Sequence, residues 1–188
     1  LSKFEDGKMA ELVPAQSFVI KSLNASTLPP GDKKELDTFS KKVAELRRAT
    51  GAADSYKGEL ANKIKFIKSA LVSSSAPLPG ATDQVYAIEK RMNAVEIKLN
   101  GDGSIAKREF ETPPSVTGRI GQIEGSVWYS TSAPTKTSVQ SYDIAAKQFA
   151  AVLSELKAID TEIKKVEATL EQNKVPYTPG RLPEWKDK

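Results

Sequence analysis

The residues that follow the second predicted helix imitate a calcium-binding loop. Asn100, Asp102 and Ser104 occupy the first, third and fifth positions of such a loop, and Glu111 falls at the twelfth. EF-hand loops place oxygen ligands at these positions and a glycine at the sixth, where the chain turns sharply. Here the sixth position is Ile105, and the first is Asn rather than Asp. An Asn-Gly helix end followed by a polar loop explains the segment better, so no metal site is predicted.

Carboxylates are the other groups that could do chemistry. Glycosidases need two carboxyl groups about 5 to 10 Å apart across a cleft, but Glu109 and Glu111 lie in a linker where nothing predicts a cleft. Di-iron bundles need inward Glu residues and a Glu-x-x-His step, and the chain has no histidine and no cysteine. The helical glutamates also lie outside the seams, which are the rows of apolar residues spaced three and four apart on each predicted helix. These glutamates are Glu89, Glu96, Glu155 and Glu162. We predict no catalytic residue, no cofactor and no metal.

Large aromatic side chains could instead form a contact surface. Trp128, Tyr129 and Trp185 are amphipathic, and aromatic residues and arginine are enriched at the centres of protein interfaces. Together with Arg181 they are the candidate interaction residues. The alternative, in which these side chains close a core or pin the tail, stays open at this point.

Four amphipathic segments must position these residues. Apolar residues recur at alternating steps of three and four in residues 36–71, 85–99, 116–127 and 142–170. This spacing places them on one face of a helix, so the predicted fold class is mainly α. At 1.5 Å per residue the first and last helices reach about 60 Å and the middle pair about 25 to 30 Å.

The width of the apolar stripe distinguishes two arrangements of these helices. The stripe is wide in the second half of the first helix and the first half of the last, which suits a four-helix interior, and narrow elsewhere, which suits a coiled coil. We predict an antiparallel four-helix bundle whose two long helices continue as a coiled-coil stalk. The alternative is a three-helix bundle with the second and third helices stacked end to end. Contact between Val95 and Ile123 favours the first arrangement, and wide separation the second.

The third helix carries three glycines. Ser115 is its predicted N-cap, and Gly118, Gly121 and Gly125 follow. Because glycine has no side chain, we interpret these positions as a thin face against which another helix packs closely.

Residues 1–23 are predicted to be extended rather than helical. Asp6-Gly7 is a preferred two-residue hairpin turn, and residues 16–21 form a second extended run. Two strands cannot bury a core in water, so we interpret residues 1–23 as the hairpin remnant of a β-sandwich domain. Residues 24–188 form the helical bundle domain with its proline-rich tail, and Asp32 with Glu35 resembles a capping box that opens the first helix.

The charge and the hydropathy of the chain indicate whether it binds nucleic acid or spans a membrane. The formal charge is +4, and residues 31–75 hold ten basic and six acidic residues with both signs spread around the helix. A mixed face of this kind is normally solvated, so no nucleic-acid partner is predicted. No run approaches the ~20 apolar residues that a membrane span needs, which predicts a soluble chain without a membrane span.

Several motifs together resemble a known protein region. They are the run Trp-Tyr-Ser-Thr-Ser-Ala-Pro-Thr at 128–135, Tyr-Asp-Ile-Ala at 142–145 with Phe149, Thr-Pro-Pro-Ser-Val at 112–116, and the closing residues 178–185. In order and spacing they are similar to the C-terminal helical region of bacterial sortilin-like BNR-repeat β-propeller proteins of the glycosyl-hydrolase type. The N-terminal hairpin resembles the end of the β-sandwich that precedes this region.

The resemblance implies that propeller blades with Asp-box turns, Ser-x-Asp-x-Gly-x-Thr-Trp, lie upstream and carry any sugar chemistry. No such turn occurs in these 188 residues, so the resemblance transfers no catalytic residue. It implies a non-catalytic structural or protein-interaction domain, the C-terminal appendage of a secreted or periplasmic protein whose β-sandwich and β-propeller are its partners. Residues 181–185 would then dock beside the hairpin, because antiparallel long helices return the tail towards it. The alternative function is a free-standing helical adaptor or oligomerisation module that binds a partner helix along an exposed seam.

Overall fold

The computed structural model describes residues 1–21, 33–183 and 185, and separates the chain into two units, 1–30 and 31–188. The first unit contains β1 (Ser2–Glu5) and β2 (Lys8–Glu11). The second contains α1 (Lys33–Val72), α2 (Pro79–Asn100), α3 (Gly103–Ala106), α4 (Val116–Trp128) and α5 (Lys136–Gln172). The predicted mainly helical fold with a short N-terminal hairpin is confirmed. The predicted boundary at residues 23–24 and the capping residue Asp32 lie outside the described residues.

The hairpin has the predicted turn but no further strand. Asp6 and Gly7 adopt φ angles of 51° and 75°, the left-handed conformation that a two-residue turn needs. Phe4 pairs with Met9 on one face, and Glu5 pairs with Lys8 on the other. Residues 1–21 are all exposed, and residues 16–21 form no strand. The hairpin therefore has an apolar face, with Phe4 and Met9, that is exposed and that no other residue in the range 1–21 covers.

The predicted seams form the core of the second unit. Side chains at the steps of three and four are buried on each of the longer helices, for example Leu60 and Ile64 on α1, Val95 on α2, Ile123 on α4 and Ile159 on α5. Ser115 caps α4 as predicted, since its hydroxyl accepts from the Gly118 N–H at 3.1 Å. The apolar spacing alone thus identifies which face of each helix is buried.

Contacts between the long helices fix their relative direction. The rings of Phe39 and Tyr142 meet edge to face with centroids 5.9 Å apart. Further along both helices, Lys63 Nζ lies 3.6 Å from Glu167 Oε1. Residue numbers rise together in the two contacts, so α1 and α5 run parallel. The predicted antiparallel pairing of the long helices is wrong.

The two middle helices lie along successive parts of α1. Lys68 Nζ is 2.9 Å from both carboxylate oxygens of Glu89 on α2, whereas Arg47 pairs with Glu124 on α4. The hydroxyl of Thr117, in the first turn of α4, donates to the Leu99 carbonyl near the end of α2 at 2.9 Å. Since 22 residues of α2 and 13 of α4 nearly match the 40 of α1, they fill one position in a three-helix bundle.

The end-to-end stacking replaces the predicted four-helix head and two-helix stalk. Lys57 contacts Glu96, the residue after Val95, while Arg47 contacts Glu124, the residue after Ile123. Ten residues of α1 separate these two contacts, which is about 15 Å along the helix. α1 therefore contacts α4 at the level of Arg47 and α2 at the level of Lys57, and it contacts α5 on both sides of these levels, at Phe39 and at Lys63. None of the described helices combines the length and apolar character needed to cross a bilayer.

Candidate functional site

The end of α4 borders a surface groove with α1, termed here the α1–α4 groove. Its α1 wall carries Ser40, Val43, Ala44 and Arg47, and its α4 wall carries Glu124, Gly125, Val127, Trp128 and Tyr129. The groove has a volume of about 770 Å³. Trp128 and Tyr129 are 84% and 89% exposed, so the alternative in which they close a core is wrong. They form an aromatic rim at the edge of the groove.

The chemistry of the α1–α4 groove suits contact rather than reaction. The one charge pair that crosses it joins Arg47 to Glu124, and the remaining lining is apolar, small or hydroxylic. An arginine and a carboxylate paired in this way satisfy each other's charge.

The predicted close packing on the glycines of α4 is not found in the described part of the chain. A Cβ atom at Gly121 or Gly125 would meet nothing within 4 Å, and one at Gly118 would meet only the hydroxyl of the capping Ser115, at 3.1 Å. All three glycines are exposed. The reason is geometric, because Val116, Ile120 and Ile123 turn the opposite face of α4 towards the core.

The other two candidate interaction residues lie on the tail after α5. Arg181 is anchored: its side chain is 9% exposed, Nη2 lies 2.5 Å from Glu171 Oε2, and the guanidinium stacks 5.2 Å from the Tyr177 ring. The Tyr177 hydroxyl donates to Glu171 Oε1 at 3.0 Å. Trp185, in contrast, is 86% exposed. Arg181 therefore holds the tail in place, and Trp185 remains open to solvent.

The anchored part of the tail, residues 175–181, is termed the strap. It turns back from the end of α5, and two of its own residues, Val175 and Thr178, are buried. Gly180 packs near the Lys63 side chain of α1, 30 residues after Lys33, the first residue of α1. That separation is about 45 Å along the helix. Since α1 and α5 are parallel, the antiparallel geometry from which we predicted docking of residues 181–185 beside the hairpin is wrong.

The predicted polar loop after α2 serves as a helix cap. The Asp102 carboxylate accepts from the backbone N–H groups of Ser104 and Ile105 at 2.9 and 3.3 Å, and from the Ser104 hydroxyl at 2.6 Å. Hydrogen bonds from Ser104 lower the pKa of Asp102. Within residues 1–21, 33–183 and 185, no group of three or more carboxylate, histidine or cysteine side chains is placed to bind a metal ion.

The helical glutamates take part in ion pairs between helices. Arg91 on α2 reaches two carboxylates of α5, with Nε 2.6 Å from Glu155 Oε1 and Nη1 2.6 Å from Glu162 Oε1. Hydrogen bonds to both carboxylates raise the pKa of Arg91, and Arg91 in turn lowers the pKa of Glu155. In the sequence, Glu155 and Glu162 are seven residues apart, which places them on one side of α5. This spacing is the sequence pattern that indicates a shared partner.

A comparison of the chain with protein-family models, with curated proteins and with solved structures finds no match among any of the three.

Proposed function

We propose that this chain is a non-catalytic structural or protein-interaction domain, the C-terminal appendage of a larger β-propeller protein of the glycosyl-hydrolase type. The observation that supports it most directly is the exposed hairpin. Phe4 and Met9 share one face and are 71% and 75% exposed, and a two-stranded hairpin alone is at best marginally stable in water. A β-domain that packs on this face would supply the missing burial.

The second unit is suited to act as a rigid spacer. Its three-helix core extends along α1, whose 40 residues span about 60 Å. The apolar seams are used for packing between its own helices. In the proposal the bundle is the helical spacer of the larger protein. The secreted or periplasmic location follows from the resemblance to BNR-repeat proteins.

Sequencing the coding region upstream of Leu1 and expressing the longer protein tests this function. We expect a β-sandwich preceded by blades with Asp-box turns, and slower amide exchange in residues 2–11 in the longer protein than in the isolated chain. Phe4→Ser with Met9→Ser should abolish that protection, whereas Lys3→Ser with Lys8→Ser, on the opposite face, should preserve it. An upstream region without a β-domain, or equal exchange in both proteins, contradicts the proposal. Cleavage of a glycoside panel by the isolated chain contradicts its non-catalytic part.

A second candidate function, a free-standing adaptor or oligomerisation module, is favoured by the α1–α4 groove and its aromatic rim. The seams themselves are buried, so a partner helix would use this groove. Size-exclusion chromatography with light scattering tests self-association. Trp128→Ser with Tyr129→Ser should shift an oligomer to monomer, while Leu182→Ser, at an exposed residue of the tail, should not. A monomer at all concentrations argues against the oligomerisation module.

A further inference from the structure

Three polar atoms are buried around the strap and have no hydrogen-bond partner among the described residues. They are Arg181 Nη1, Thr178 Oγ1 and Glu167 Oε1. Native proteins rarely bury polar groups without a partner, and where protein atoms do not supply one, ordered water usually does. Each of the three atoms therefore needs a hydrogen-bond partner that the described protein atoms do not supply.

Contacts around the strap bring these groups to one region of the bundle. Glu167 and Glu171 are four residues apart and so share one face of α5. Arg181 pairs with Glu171, and Lys63 Nζ lies 3.6 Å from Glu167 Oε1, beyond hydrogen-bond distance. A Cβ at Gly180 would lie 3.8 Å from Cε of the same lysine. The strap thus passes beside Lys63, one partner of the Lys63–Glu167 pair.

The charges and the hydrogen-bonding groups of this region indicate what kind of ligand fits it. The two cations Lys63 and Arg181 balance the two carboxylates Glu167 and Glu171, so the region favours neither an anion nor a metal cation. Arg181 Nη1 can only donate, an ionised carboxylate can only accept, and the Thr178 hydroxyl can do both. A neutral molecule that both donates and accepts satisfies all three, and water is the smallest one.

We propose that an ordered water molecule binds beneath the strap. It accepts a hydrogen bond from Arg181 Nη1, donates one to Glu167 Oε1, and completes its coordination on the Thr178 hydroxyl. Through it, the strap is joined to α5 at a second level, one helical turn before the Glu171 pair.

Thr178→Val tests the site because valine has the same shape as threonine without the hydroxyl. If water binds there, the variant loses a hydrogen bond in a buried polar site, and Tm should fall by about 2 to 4 °C for a chain of this size. If the hydroxyl is simply unpaired in an apolar setting, its removal relieves a penalty and Tm should rise.

Thr161→Val is the matched control, since Thr161 is exposed and its hydroxyl donates to the Lys157 carbonyl within α5 at 2.9 Å. Its Tm should stay within about 1 to 2 °C of the parent. A high-resolution crystal structure of the full chain should show a water within hydrogen-bond distance of the three atoms, absent in Thr178→Val. A rise or no fall in the Tm of Thr178→Val, or no water density in the parent, overturns the proposal.

Discussion

Lys57 Nζ lies 2.7 Å from Asp54 Oδ1, one turn earlier on α1, although Lys57 occupies a seam position that the helical spacing assigns to the core. The same ammonium contacts Glu96 on α2, and its side chain is only 13% exposed. Burial acts to lower the pKa of Lys57, but hydrogen bonds to Asp54 and Glu96 outweigh it and the pKa is raised. A charged seam residue thus faces the end of α2.

Replacing Lys57 with methionine should leave the free energy of unfolding unchanged within about 1 kcal/mol, or raise it. Removing one member of an ion pair is costly when the charge left behind stays buried, and close to neutral when that charge can be hydrated. The two carboxylates left behind are each 46% exposed and can be hydrated. Urea unfolding measures the effect, with Lys41→Met at an exposed ion pair as control. A loss above about 2 kcal/mol would show that the ion pairs themselves stabilise the bundle.

Leu60 provides the corresponding test of the apolar core. It is 1% exposed, and truncation of such a residue removes buried surface and leaves a cavity. Leu60→Ala should lower the free energy of unfolding by about 2 to 5 kcal/mol. Leu182→Ala, at a residue that is 93% exposed, should change it by less than about 0.5 kcal/mol. Equal effects of the two variants in urea would contradict the assigned core.

The ion pair between Arg91 and Glu155 should make the bundle sensitive to acid. Because the hydrogen bond from Arg91 lowers the pKa of Glu155, the folded state favours the carboxylate. The ion pair's contribution to the free energy of unfolding is fully present above the pKa of Glu155 in the unfolded chain, about 4.3. It is lost as the pH falls through the lower pKa of the folded state. The Tm of the parent should therefore fall more steeply between about pH 5 and pH 3 than that of Glu155→Gln.

Salt provides the control for this titration. The side chains of Arg91 and Glu155 are 34% and 36% exposed, so about 1 M salt should screen part of their attraction and reduce the difference between parent and variant. Parallel Tm curves at low salt would show that the pair contributes nothing that depends on protonation.

The sequence predicts which residues are buried but not the directions of the helices. Steps of three and four identify an apolar face without specifying what packs on it. The short connections, residues 73–78 and 129–135, each reverse the chain. The linker at residues 101–115 is long enough either to reverse it or to let it continue, and this one choice decides between four helices and three. The hydrogen bond from Thr117 to the Leu99 carbonyl closes the linker, and no sequence pattern indicates it.

The sequence likewise does not show where the candidate interaction residues lie relative to one another. Trp128 and Tyr129 stand at one level of the bundle, beside Ser40 and Val43, whereas Arg181 lies near Lys63. The sequence selects them by residue type, and only the direction of α5 reveals that they cannot form one surface. The exposure of the three α4 glycines is predictable from the sequence, because they fall between the seam positions of that helix.

Deleting residues 175–188 should loosen the bundle around the strap and leave the start of α1 unchanged. The deletion removes the guanidinium that pairs with Glu171 and the buried Val175, whose N–H donates to the Leu170 carbonyl at 3.0 Å. Hydrogen exchange should therefore become faster in residues 163–172 of α5 and around Lys63, where local opening then requires less free energy.

The parallel helices make the location of this effect diagnostic. Phe39 and Tyr142 lie at the far level of α1 and α5, so their amides should exchange as in the parent chain. Arg181→Ala should reproduce part of the change near Glu171, while Lys164→Ala, at an exposed ion pair with Asp160, should produce little. Faster exchange around Phe39, or unchanged exchange at Leu170, would contradict the position that the structure gives to the strap.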